Sequence, residues 1–170
     1  MKSTFYTFLL CLIIISCDSP KEFSSINPNN WKKRTVSNPL PDSLLSGTTY
    51  LSVYSQIYSQ TEHLTHSLTA TVSLRNANRN DTVFITHADY FDTKGNLIRS
   101  YFEKTIFIAP METVEIIIDE VDNTGGTGAN FLFDWKIYPN SNEPLFEGVM
   151  LSTSGQQGLS FTTHGKNINS

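Results

Sequence analysis

After Gly47 the apolar side chains recur at every second position. Leu68, Ala70, Val72 and Leu74 alternate with Thr69, Thr71, Ser73 and Arg75, and the same period runs through Leu51, Val53 and Ile57, through Val114, Ile116 and Ile118, and through Phe131, Phe133, Trp135 and Ile137. A period of two puts one set of side chains on a buried face and the other in water, which is the signature of a half-buried strand. No stretch carries a convincing helical period. Turn signals separate the runs, among them the Asn-rich residues 76–81, Ala109-Pro110, the glycine-rich residues 123–128 and residues 154–158. About eight or nine short strands punctuated in this way predict an all-β, antiparallel β-sandwich over residues 48–165, with 166–170 as a tail. Asp92-Thr93-Lys94-Gly95 joins two of the runs as a hairpin, with Gly95 at the position that takes a positive φ. Phe131, Phe133 and Trp135 are assigned to the core.

The N-terminal stretch obeys different rules. Lys2 precedes an uncharged apolar run over residues 5–15, which is too short to span a bilayer and fits a signal peptide over residues 1–16. Ile14-Ile15-Ser16-Cys17 has the pattern of a bacterial lipobox, in which the cysteine is acylated and becomes the first residue of the mature chain. The expected consequences are a membrane-anchored lipoprotein on the periplasmic or cell-surface side of a bacterial envelope, a palmitate-type acyl group on Cys17 and no other thiol, because Cys11 leaves with the signal. Residues 17–47, rich in Ser, Asn and Pro, read as a tether. About thirty such residues reach roughly 30 Å as a coil. Within them Trp31-Lys32-Lys33-Arg34 has three readings: an aromatic and three cations lying on anionic headgroups, a solvated linker patch, or the first turn of packing against the domain.

Charge narrows the partners. The chain of 170 residues carries a formal charge of −4, and loss of Lys2 makes it −5. Such a balance gives no basic field to attract a polyanion, so no nucleic-acid partner is expected.

Several segments taken together resemble one family. Val53-Tyr54-Ser55, Leu74-Arg75-Asn76, Asp89-Tyr90-Phe91-Asp92 with Gly95, the Gly-Gly-x-Gly-Ala-Asn-Phe run from Gly125 to Phe131, and the Gln-Gln-Gly-x-Ser-Phe run from Gln156 to Phe161 resemble the bacterial family called domain of unknown function 3124. The likeness extends from about Tyr50 to Gly165. It implies a small envelope lipoprotein and no activity, so it carries no catalytic residue onto this chain. More loosely, the Arg75-Asn76 pair, the Asp89 hairpin and the strand after Ala109-Pro110 are similar to immunoglobulin/fibronectin-like sandwiches.

Candidate chemistry is sparse. The loop of Asp122, Asn123, Gly125, Gly126, Gly128 and Asn130 invites comparison with a phosphate cradle, but no helix pattern follows it and no Lys is near. It is kept as a candidate binding loop together with Gln156, Gln157 and Ser160, because loops on a rigid scaffold are where recognition concentrates. Asp119, Glu120, Asp122 and Asn123 lack the ligand order of a calcium loop. His63 and His66 lie in a polar stretch read as a connection between strands, while Ser55 and Ser160 lack a nucleophile elbow. No catalytic residue, metal site or cofactor is assigned. Tyr50, Tyr54 and Tyr58, four apart, are expected to share one face of an extended strand, where exposed rings would suit an envelope protein or a glycan. The reading is therefore a lipid-anchored, non-catalytic binding or structural accessory module. The rival is a periplasmic hydrolase or metal-dependent enzyme built on the acidic cluster.

Overall fold

The computed structural model describes residues 25–26, 29–153 and 158–168; residues 1–16, expected to be a signal peptide, and Cys17, Gln156 and Gln157 lie outside them. One short helix, α1 (Asn29–Lys32), precedes the strands β1 (Leu45–Val53), β2 (Gln56–Ser59), β3 (Thr61–Ser67), β4 (Thr69–Arg75), β5 (Val83–Phe91), β6 (Leu97–Ser100), β7 (Ile106–Ile108), β8 (Thr113–Ile118), β9 (Ala129–Ile137), β10 (Leu145–Ser152), β11 (Leu159–His164) and β12 (Lys166–Asn167). All pairings are antiparallel. Sheet I has the order β12-β1-β9-β5-β6, with β7 also on β5; sheet II has the order β11-β10-β4-β8; β2 and β3 form a separate hairpin.

This is the all-β sandwich that the alternation predicts. In β9 burial alternates without a break from Ala129 to Ile137, and its inward residues meet those of sheet II. An aromatic column crosses the interior: Tyr90 stacks on Phe131 at 4.8 Å, Phe131 on Phe133 at 5.2 Å and Phe133 on Phe146 at 4.3 Å between ring centres. Trp135 is buried beside them and its indole N–H donates to Thr49 Oγ1 at 2.9 Å, so the ring's polar edge stays satisfied. The described strands number twelve against the expected eight or nine. The extra ones include β7 and β12, of three and two residues, too short to show a period.

The hairpin of β5 and β6 forms as expected. Asp92 Oδ1 accepts the N–H groups of Lys94 and Asn96, and Gly95 takes a φ of 81°. At the opposite end Asn76 and Asn78 are buried. Asn76 Nδ2 donates to the carbonyls of Asp81, Ile108 and Ala109 and Asn78 Nδ2 to that of Asn142, so one pair of amides ties three loops together.

The two open sides of the sandwich close differently. On one, the chain leaves β11 in sheet II and enters β12 in sheet I through Gly165, whose N–H donates to Phe146 O at 2.8 Å. A Cβ there would press on Thr49 and Phe146. The other side is closed by the N-terminal stretch. Trp31 is buried, 5.4 Å from the Phe102 ring and 6.5 Å from that of Tyr101, and its N–H donates to Ser25 O at 2.9 Å. Ser25 Oγ in turn donates to Ile117 O and accepts from Ile117 N–H, capping the outer edge of β8. Thr35 bridges Ile106, with Val36 N–H on Thr105 O and Phe107 N–H on Arg34 O.

Two expectations need correcting here. The stretch 17–47, read as tether, includes Ser25, Trp31 and residues 34–36 held on the body, and β1 begins at Leu45, because β8 and β7 present edges that these residues cover. His63 and His66 belong to β3, not to a connection, and both are exposed.

Candidate functional site

The registers bring the 118–129 connection, the β5–β6 turn and the paired strand ends Ser152 and Leu159 to one end of the sandwich, since Ala129 pairs Val53, Thr69 pairs Leu151 and Ala70 pairs Ile118. That end carries most of the candidate binding residues. Gly126–Gly128 forms a 3-10 turn in which Gly126 has a φ of 71°. Several polar groups of this loop are engaged inside the protein: Gly126 N–H donates to Asn123 O at 3.2 Å, Gly128 N–H to Thr93 Oγ1 at 3.0 Å, Thr93 N–H to Gly125 O at 3.2 Å and Ser55 Oγ to Gly126 O at 3.2 Å. These amides converge on protein oxygens instead of an external anion. The loop thus differs from the phosphate cradles to which its glycines invite comparison.

Gly125 is required by Tyr90. A Cβ on residue 125 would occupy the space of the Tyr90 hydroxyl, which is fully buried and has no partner in hydrogen-bonding geometry among the described residues. Burial pushes the Tyr90 pKa up to about 12, with the nearby Ser55 hydroxyl as a smaller opposing influence. Beside it lies a half-buried ion pair, Arg99 Nη2 to Asp122 Oδ2 at 3.2 Å, with Arg99 Nη1 donating to Tyr101 OH at 3.1 Å. Burial disfavours the charged Asp122, yet the Thr124 hydroxyl and N–H and the Arg99 guanidinium outweigh it and hold that carboxyl below its usual range.

The remaining candidates are distributed. Asn123 Oδ1 accepts from Ser67 Oγ, Asn130 sits in β9 opposite Ser52 and Phe91, and Ser160 is exposed on β11. The three tyrosines do not share a face. Tyr50 is on the outer side of β1 opposite Leu132, Tyr54 follows that strand and packs on Phe161 at 5.7 Å, and Tyr58 is exposed in β2. The expected single strand breaks because Ser55 is buried and takes the chain into the separate hairpin.

The acids and histidines are likewise apart. Asp89 accepts from Ser100 Oγ at 2.6 Å, Asp92 serves its own turn, His164 lies 3.9 Å from Glu147 and His63 lies 3.4 Å from Glu62. His87 Nδ1 is 3.4 Å from Asp134 Oδ2 on the outer face of sheet I, and Thr48 Oγ1 donates to the other oxygen of Asp134 at 2.6 Å. Sequence reading did not pair these two, since they come from strands 47 positions apart that only the register at a β-bulge aligns. Among the described residues no three His, Cys, Asp or Glu side chains are grouped to hold a metal ion, and no helix is long and apolar enough to cross a membrane.

Two grooves flank Trp31. One groove of about 600 Å³ is bordered by Lys33, Arg34, Glu112 and Glu115, and another of about 510 Å³ by Lys32, Tyr101, Phe102 and Lys104. Arg34 is bound to Glu112 through two hydrogen bonds of 2.6 and 2.9 Å. The guanidinium and the Ala109 N–H hold the Glu112 carboxyl below its usual range against its partial burial. A third cleft of about 340 Å³ contains His164, Glu147, Arg75 and Glu143 at the β11–β12 corner. Of the Trp31 cluster, Lys32 and Lys33 remain exposed.

Comparison with known proteins adds little chemistry. No curated protein matches the chain. The crystal structure of Thermotoga maritima 1070 is similar at a TM-score of 0.45 and 10% identity, covering 71% of this chain and 92% of that one. A family model described as "Protein of unknown function (DUF3124)" matches residues 46–168, the span that holds every strand but the first residue of β1, and the chain belongs to that family.

Proposed function

We propose that the chain is a lipid-anchored protein of a bacterial cell envelope whose sandwich works as a non-catalytic binding or structural accessory module. The observation that carries this reading is the apolar run that stops at Ser16-Cys17 with the residue pattern of a lipobox. Multiple acyl chains on one cysteine hold a protein stably where a single chain holds it only marginally. Further support comes from the acids of the rival, enzymatic reading, which are engaged separately: Asp122 with Arg99 and Thr124, Asp89 with Ser100 and Asp92 with its own turn. General acid–base work needs such groups to converge where a substrate can sit. The end formed by the 118–129 and 152–159 connections is the contact surface for an envelope protein or glycan in this reading. Cys17→Ser tests the anchor: the variant should move from the membrane to the soluble fraction and lose labelling by a radioactive fatty acid. Unchanged sedimentation would refute it.

A further inference from the structure

The strap formed by Ser25, Trp31 and residues 34–36 decides which side of the body can face a membrane. Ser25 is fixed to β8 by hydrogen bonds in both directions with Ile117, at 3.1 and 2.8 Å. Eight chain steps separate it from Cys17, a reach of at most about 28 Å when fully extended and roughly 16 Å as a coil. A nine-residue strand such as β9 is itself about 30 Å long. The leash is therefore shorter than the body it holds.

We infer that the edge formed by the strap, β7 and β8 lies against the phospholipid surface, with Lys32, Lys33 and Lys104 reaching the headgroup phosphates; this rests on the acylation of Cys17 proposed above. Trp31 takes no part in the contact, because it is buried and bonded to Ser25 O. Arg34 is already paired with Glu112. Lys32, Lys33 and Lys104 are exposed on the rims of the two grooves beside Trp31, and Ile26 on the same strap is 47% exposed. The acids of this edge are Glu103 and Glu115 at the grooves and Asp119 and Glu120 in the turn after β8. They set a tilt in which the lysine-bearing half sits closer to the phosphates than the turn does. Cations near an anionic bilayer are drawn to its surface, so three of them orient a body that the leash already keeps near.

The test uses the lipidated full chain in vesicles of phosphatidylethanolamine and phosphatidylglycerol containing a headgroup-linked quencher. A thiol fluorophore is placed at Lys33→Cys or, as the distal site, at Thr162→Cys on β11, which lies three strand spacings from β8, about 14 Å across sheet II. Quenching should be several-fold stronger at position 33. Equal quenching at the two positions, in a chain whose unsubstituted form takes up no thiol dye, would overturn the orientation alone. Dye uptake by the unsubstituted chain, with the dye mapped to Cys17 and not to Cys11 by peptide mass, would show a free Cys17 sulfur and overturn the anchor and the orientation together.

Discussion

At position 125 the space for a side chain is filled by the phenol oxygen of Tyr90, so the glycine-rich motif has a packing cause that lies 35 residues away in the sequence. Gly125→Ala should cost about 2 kcal/mol through overpacking, read as a lower urea midpoint at unchanged slope. Tyr90→Phe removes a buried hydroxyl that has no hydrogen-bond partner among the described residues and should be neutral or slightly stabilising. In the Tyr90→Phe background the cost of Gly125→Ala should shrink without vanishing, because Ala129 also crowds that position. Alkali gives an independent readout. With its pKa raised to about 12, Tyr90 contributes stability that is complete below its unfolded value near 10 and is lost as the pH climbs through the folded value. Tyr90→Phe should flatten that limb and leave the share of Tyr101, whose pKa burial also raises.

Among elements, the strap, like the short β7 and β12, is one that periodicity could not reveal. Residues 29–36 carry no alternation, and Trp31-Lys32-Lys33-Arg34 looks in the sequence like one cationic cluster. The structure divides it: Trp31 goes into the core, Arg34 goes to Glu112, and only two lysines stay in water. The Arg34–Glu112 pair should make the strap sensitive to acid. Because the folded Glu112 pKa is lowered, its contribution is present above the ordinary carboxylate value and disappears as the pH falls through the lower, folded value. Glu112→Gln should remove that part of the acid transition, which a pH series of thermal unfolding curves would show; an unaltered acid limb would mean that the pair is screened by solvent.

For the whole molecule, the alternating faces of β4, β8 and β9 were legible because both sheets bury one side and wet the other. The order of strands was not, since β9 lies between β1 and β5 through partners such as Thr49 and Phe133 that are far apart along the chain. The connection from Asp119 to Gly128 is legible as a loop, whereas the internal bonding of Gly126 and Gly128 depends on Thr93 in a different hairpin. The family-matched span is also not the whole folded unit. A chain starting at residue 45 keeps that span but loses the cover of β8 and the buried Trp31, and should be about 3 kcal/mol less stable and prone to pair through the uncovered edge. Sedimentation and chemical unfolding against the full chain would check both effects. The same strap has a mechanical side. A pull on the N-terminal end loads the Ser25–Ile117 bonds before any rung of the two large sheets, and peels them one at a time. Once Ser25, Trp31 and residues 34–36 let go, the slack grows to the whole stretch ahead of β1, so under the anchoring proposed above the body would extend under load before it unfolds.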